Sequence, residues 1–156
     1  MATQWTAGTT SGQVLTAATL NTIGAAFETW TPALTASTTN PTLGTGSTAT
    51  GRYGRINKFI YGVGSVQFGT SGVNPGSGVY YFSIPVTAQA SGVVCGTWQA
   101  FDSSASAVYV GHLVMDTTSR MVMYYSNPSS VITNAAPWPA AAASDFIRVN
   151  FNYEAA

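Results

Sequence analysis

From Gly51 onward the sequence returns repeatedly to one pattern: a short run of alternating apolar and polar residues, closed by a cluster of Gly, Asn, Ser, Thr or Pro. A period of two is what a strand with one buried face requires, and turn residues at such short spacing leave no room for crossover helices. The longest stretch that reads as strand is Gly51–Phe68, GRYGRINKFIYGVGSVQF. Within it Ile60, Val66 and Phe68 point one way, and Phe59, Tyr61 and Val63 the other. Gly62 and Gly64 mark a bulge or a close backbone approach.

Further strands follow by the same reasoning. A short first strand is expected over Ala33–Ser37, and the turn-rich stretch after it leaves room for another around Ser47–Thr50. Val79–Val86 places Tyr80, Phe82, Ile84 and Val86 on one face, with Pro85 marking an edge or a strand end. Val93–Phe101 carries Cys95 and Trp98, and Ala107–Met115 places Leu113 and Met115 together. Met121–Tyr125 returns after a hairpin-type turn at residues 116–119. The cleanest strand is the last, where Ile147, Val149, Phe151 and Tyr153 alternate with Arg148, Asn150 and Asn152. AAPWPAAAAS, residues 135–144, reads as loop with room for a helical turn. The fold expected is mainly β: an antiparallel β-sandwich, jelly-roll-like, of about eight strands.

Residues 1–30 read differently. They form a polar arm with one large aromatic, Trp5, followed by a short helix. Thr16 suits the N-cap, and Leu15 can staple onto Leu20. Leu20, Ile23 and Phe27 fall on one helical face, and Thr31-Pro32 ends the helical region. A helix of about three turns is marginal in water on its own. Its stripe therefore has to dock, on its own domain or on a neighbouring chain. The domain division expected is an arm and helix at 1–30 and a β-sandwich at 31–156. Trp5, Leu15, Leu20, Ile23, Phe27 and Trp30 are the candidate docking residues.

Only 6% of the 156 residues are charged, against about 25% in an ordinary domain, and the net charge is zero. A nucleic-acid partner needs many phosphate-neutralising cations, so this balance argues against one. Net charge near zero promotes association, which suits a subunit whose surface is largely covered in an assembly. The first ten residues have neither a basic nor an apolar signal region, and no run approaches the roughly 18 apolar residues of a membrane span. The expectation is a chain made and folded in a cytoplasm.

Chemistry-bearing residues are scattered. Glu28, Asp102, Asp116, Asp145 and Glu154 lie far apart in sequence, and Asp102 and Asp116 fall at turns where Asp is expected for its own hydrogen bonds. One cysteine and one histidine, Cys95 and His112, do not make a zinc site. No catalytic residue, metal or cofactor is expected. Arg52, Arg55 and Lys58, three of the five basic residues, are candidates for contact with an acidic glycan or a neighbouring carboxylate, or simply charge a strand edge. Trp98 and Trp138 either stack on sugars or fill the core or an interface.

Two pieces of the sequence resemble small virion proteins of tailed bacteriophages. VLTAATLN, at 14–21, and GTGSTATGRY, at 44–53, occur together, and GSGVYYFSIPVTA follows at 76–88. The likeness covers residues 5–88. It implies minor tail, tail-fibre or capsid decoration proteins, a jelly-roll-like sandwich, homo-oligomers (often trimers) and attachment to the phage particle. It brings no catalytic residues. On that resemblance the partners are other copies of the chain and other virion proteins, with host surface glycan as a further candidate. Head decoration and glycan-binding roles stand as alternatives to a place in the tail.

Overall fold

The computed structural model describes residues 27–125, 131–133 and 141–156. Nine strands run through them: β1 Glu28–Trp30, β2 Leu34–Ala36, β3 Thr48–Ile56, β4 Phe59–Gln67, β5 Tyr80–Ser83, β6 Val94–Asp102, β7 Ala107–Thr117, β8 Arg120–Tyr125 and β9 Phe146–Glu154. They pair antiparallel throughout, in one sheet of order β1-β3-β4-β9-β6-β7-β8-β5-β2. The mainly-β, antiparallel fold expected from the alternation is the one observed. Of the expected helix, whose stripe runs Leu20, Ile23, Phe27 and whose end is expected at Thr31-Pro32, residues 16–26 lie outside the described residues, as do Trp5, Leu15 and Trp138. Its last turn is corrected, because Phe27 is not helical and Glu28–Trp30 is strand paired to β3.

The sheet is curled, and its connectivity shows why. Its two edge strands, β1 and β2, are consecutive in the chain and joined by residues 31–33. Laid flat, the edges of nine strands would lie about 38 Å apart, at roughly 4.8 Å per strand. Four peptide steps from Trp30 to Leu34 span at most about 14 Å. The sheet therefore rolls until its edges approach one another, and its inner faces meet. Trp30 closes the seam from inside: its ring centroid lies 6.2 Å from Phe82 on β5 and 6.0 Å from Phe151 on β9. Phe82 also reaches across to within 3.0 Å of where a Cβ on Gly64 would stand.

The core is the inward set of each strand. Ile60 and Val66 on β4, Ile147 and Val149 on β9, Leu113 and Met115 on β7, and Met121 and Met123 on β8 are all buried. Trp98 packs over Gly111, its partner across the β6–β7 ladder, and its indole Nε1 donates to the Tyr124 carbonyl at 2.8 Å. A side chain at position 111 would strike that carbonyl and the Trp98 ring, so the glycine is what lets the indole lie flat on the sheet.

Two expectations are corrected. Gly51–Phe68 is not one strand but most of a hairpin: β3 and β4 pair from Thr48↔Gln67 to Ile56↔Phe59 across a two-residue turn. The turn has no glycine; Asn57 supplies its left-handed residue, with φ of 56°. Glu28–Trp30, assigned to the arm, is strand, tied to β3 by ladder bonds and by the Tyr53 hydroxyl, which donates to the Glu28 carboxylate at 2.7 Å. That bond, first, and then burial push the Tyr53 phenol up to about 12.

Candidate functional site

The outer face of β3, β4, β9, β6 and β7 carries a well-formed concavity. Gly51, Gly64, Val149, Trp98 and Gly111 stand opposite one another in consecutive ladders, a single row across five strands. Their side chains, where they have any, face the core. On either side of that row the neighbouring residues face out. One flank runs Arg52, Val63, Asn150, Thr97; the other runs Thr50, Ser65, Arg148, Gln99, Val110. Between the flanks lies a groove of about 780 Å³, crossing the strands with main chain as its floor.

Both arginines of the groove are exposed. The Arg148 guanidinium sits 4.2 Å from the Phe146 ring centroid and that of Arg52 sits 5.4 Å from Phe27. Neither has a carboxylate partner: among the described residues the one ion pair is Arg120 with Asp116, at 2.6 Å. From strand spacing and rise, the Cα atoms of Arg52 and Arg148 stand about 12 Å apart, two strands over and two residues along.

The candidate residues from the sequence separate. Arg52 is on the outer face. Arg55 is half-buried on the opposite face, its Nε donating to the Asn57 carbonyl at 2.6 Å, and Lys58 is exposed in the turn. The three do not form one patch. Trp98, at 2% exposure, is core and presents no face for a sugar. Trp30 is half-buried and turned inward, away from any docking surface, whereas Phe27 is exposed on the outer face beside Tyr61. Arg148 and Asn150 were legible only as the polar half of the β9 alternation. Their place next to Arg52 depends on β9 pairing with β4, for which the local sequence holds no signal.

Cys95 is buried and its thiol is pushed up to about 11 by burial, which leaves it un-ionised near neutrality. His112 stacks on Tyr124 at 5.5 Å and 7° on the outer face, away from Cys95. Among the described residues no group of three or more His, Cys, Asp or Glu is placed to hold a metal ion.

The carboxylates that do approach each other are Asp102 and Asp145, both buried. Each is engaged by main chain. Asp102 Oδ1 accepts from the Ser104 hydroxyl and from the N–H groups of Ser104 and Ala105, at 2.7–3.0 Å. Asp145 accepts from the N–H groups of Ser103 and Ala142, each at 2.8 Å. They clamp the β6–β7 turn to the start of β9. The Ser104 hydroxyl, above all, holds Asp102 below the ordinary carboxylate value, and burial pushes Asp145 above it, with Asp102 adding repulsion.

The two contributions have opposite signs. Asp102 stabilises above its unfolded value near 3.8, and that stability is lost as pH falls through its depressed folded value. Asp145 favours the folded state most when protonated, and that advantage is lost as pH rises through its raised value. Asp102→Asn is therefore expected to flatten the acid side of the stability profile. Asp145→Asn should remove a decline that the parent shows as pH climbs above about 3.8. Denaturant midpoints measured from acid to neutral pH check both; parallel profiles for parent and variants would sink the assignment.

The described residues form a mainly-β, antiparallel fold with a groove on its outer face. Comparison with protein-family models, with curated proteins and with solved structures finds no match.

Proposed function

We propose that this chain is a structural component of a tailed-phage virion, placed on the particle exterior in the tail or fibre apparatus, where it assembles with copies of itself, as a homotrimer, and carries out no chemical step. The observation that supports this reading is a contiguous apolar cluster at the β3–β4 end of the outer face. Ile56, 55% exposed, stands opposite Phe59, 48% exposed, and Phe27, 49% exposed, lies edge-on to Tyr61 beside them. Soluble monomers seldom leave such a cluster open, and covering it in a second copy removes apolar surface from water at about 25 cal/mol per Å². Leu20 and Ile23, also candidates for docking, lie just ahead of this cluster in sequence, and the resemblance of residues 5–88 to phage virion proteins points the same way.

The test is the light-scattering mass of the full chain beside Phe59→Asp and Ile56→Asp. An oligomer that falls to a folded monomer in either variant supports assembly through this cluster. An oligomer indifferent to both places the contact elsewhere. Mass spectrometry of purified particles of the encoding phage tests the virion reading separately: the chain should be present at a fixed ratio to the major structural proteins, and its absence would overturn the proposal. A shortened chain for such work should begin at Phe27 rather than Thr31, because a start at Thr31 deletes β1 and the Trp30 plug.

A further inference from the structure

We infer that the groove across β3, β4, β9, β6 and β7 binds a linear acidic oligosaccharide, a hydroxyl-rich chain bearing carboxylate or sulfate groups. The inference does not rest on the assembly reading: the groove is centred further along the strands than the Ile56–Phe59 end, and only Arg52, over Phe27, adjoins the apolar cluster.

Charge is the first argument. Arg52 and Arg148 are two of only five basic residues in the chain, and both face this one groove. Each is held against an aromatic ring with no carboxylate taking its N–H donors, so the guanidinium fork is positioned but unspent. With Cα atoms about 12 Å apart and side chains leaning away from each other, over Phe27 and Phe146, they suit anionic groups on separate units of one chain rather than a single small anion.

The flanks supply the second. Thr97, Gln99, Asn150 and Ser65 present hydroxyls and amides, groups that both donate and accept, as sugar hydroxyls do. Val63 and Val110, about half exposed, offer apolar contacts for the C–H faces of sugar rings. An acidic peptide fits less well. The groove floor is main chain already bonded on both sides within the sheet, so it has no free strand edge for a peptide backbone to join. A nucleic acid requires more cations than this net-neutral chain provides.

The experiment is amide chemical-shift mapping and titration of the full chain at low ionic strength. The probes are a heparin-derived hexasaccharide, an oligogalacturonate hexamer, neutral maltohexaose and hexaglutamate. Binding of either acidic hexasaccharide, with shifts centred on Thr97, Gln99 and Asn150 and weakening as salt is added, is the expected result. The sulfated and carboxylated arms separate the two sources of charge. Arg52→Gln and Arg148→Gln should each weaken binding roughly tenfold, since each removes a charge-assisted donor fork. Both side chains are exposed, so the variants are expected to melt with the parent. Ser65→Trp, which fills the groove without touching charge, should abolish binding and guards against a purely global charge effect. Four outcomes overturn the inference: no binding of either acidic probe at millimolar concentration, equal binding by the double arginine variant, binding unaffected by Ser65→Trp, or hexaglutamate binding at least as tightly as the sugars.

Discussion

Trp98→Ala is expected to cost the fold about 4 kcal/mol and to lower its melting temperature by roughly 10 °C. The indole is 2% exposed and fills the space above Gly111 on the inner side of β6 and β7. Truncation removes that volume and leaves the Tyr124 carbonyl, which accepts from Nε1 at 2.8 Å, without its donor. Trp98→Phe keeps most of the packing and loses the hydrogen bond, so it should cost less, about 1–3 kcal/mol. Denaturant unfolding of the three proteins measures the series. A Trp98→Ala variant that melts within a degree or two of the parent would show that the indole is not a core element. The same reasoning disqualifies Trp98→Ala as a probe of sugar binding, because any loss of binding would follow from loss of structure.

Trp30 is expected to give a different pattern. Trp30→Ala should cost about 3 kcal/mol, because the ring is the inner plug of the seam, set against Phe82 and Phe151 and over Gly51 and Gly64. Trp30→Phe should stay within about 1 kcal/mol of the parent. The reason is its indole Nε1, the one buried side-chain polar atom without a partner among the described residues. Removing a donor that bonds to nothing removes a desolvation cost, which offsets part of the smaller ring's lost contact. Hydrogen exchange at Glu28–Trp30 and Leu34–Ala36 reports the seam directly. Protection there should fall in Trp30→Ala while the middle of β9 stays protected. Equal loss in the alanine and phenylalanine variants would refute the account.

What the sequence disclosed follows from which interactions are local. β9 was readable because every second residue from Ile147 to Tyr153 is apolar and no turn interrupts it. The inward side of β4 was readable for the same reason, and Gly62 and Gly64 do mark close approaches, to the Arg52 carbonyl and to Phe82 respectively. The hairpin at Asn57-Lys58 is not legible locally because its turn lacks glycine and its flanks, Ile56 and Phe59, are apolar, so the apolar pattern runs straight through. Glu28–Trp30 reads as the close of the helical region because Thr31-Pro32 ends it. Three residues carry too little preference to resist a partner strand, and pairing with Gly51–Tyr53 decides their state. The same locality hid the groove. Arg52 stands out beside Arg55 and Lys58, its neighbours in sequence, whereas Arg148, which lines the same groove two strands away, comes near it only when β4 and β9 pair.

That pairing also sets a clock. β9 sits between β4 and β6 and forms ladders with both, yet β4 ends at Gln67 and β9 begins at Phe146. A ribosome adding about 5–20 residues per second takes roughly 4–16 s to cover the interval. Throughout it β4 exposes a bare edge, as does β6 once it has been made, and Ile60, Val66 and then Trp98 lack the wall that will cover them. Folding dominated by such distant contacts is slow even from the complete chain. Each copy is therefore aggregation-prone while nascent and acquires its outer groove only in the closing step. In the assembly proposed above, the order would be imposed by the chain itself: no subunit could present its finished face to another before β9 has been threaded into the middle of its sheet.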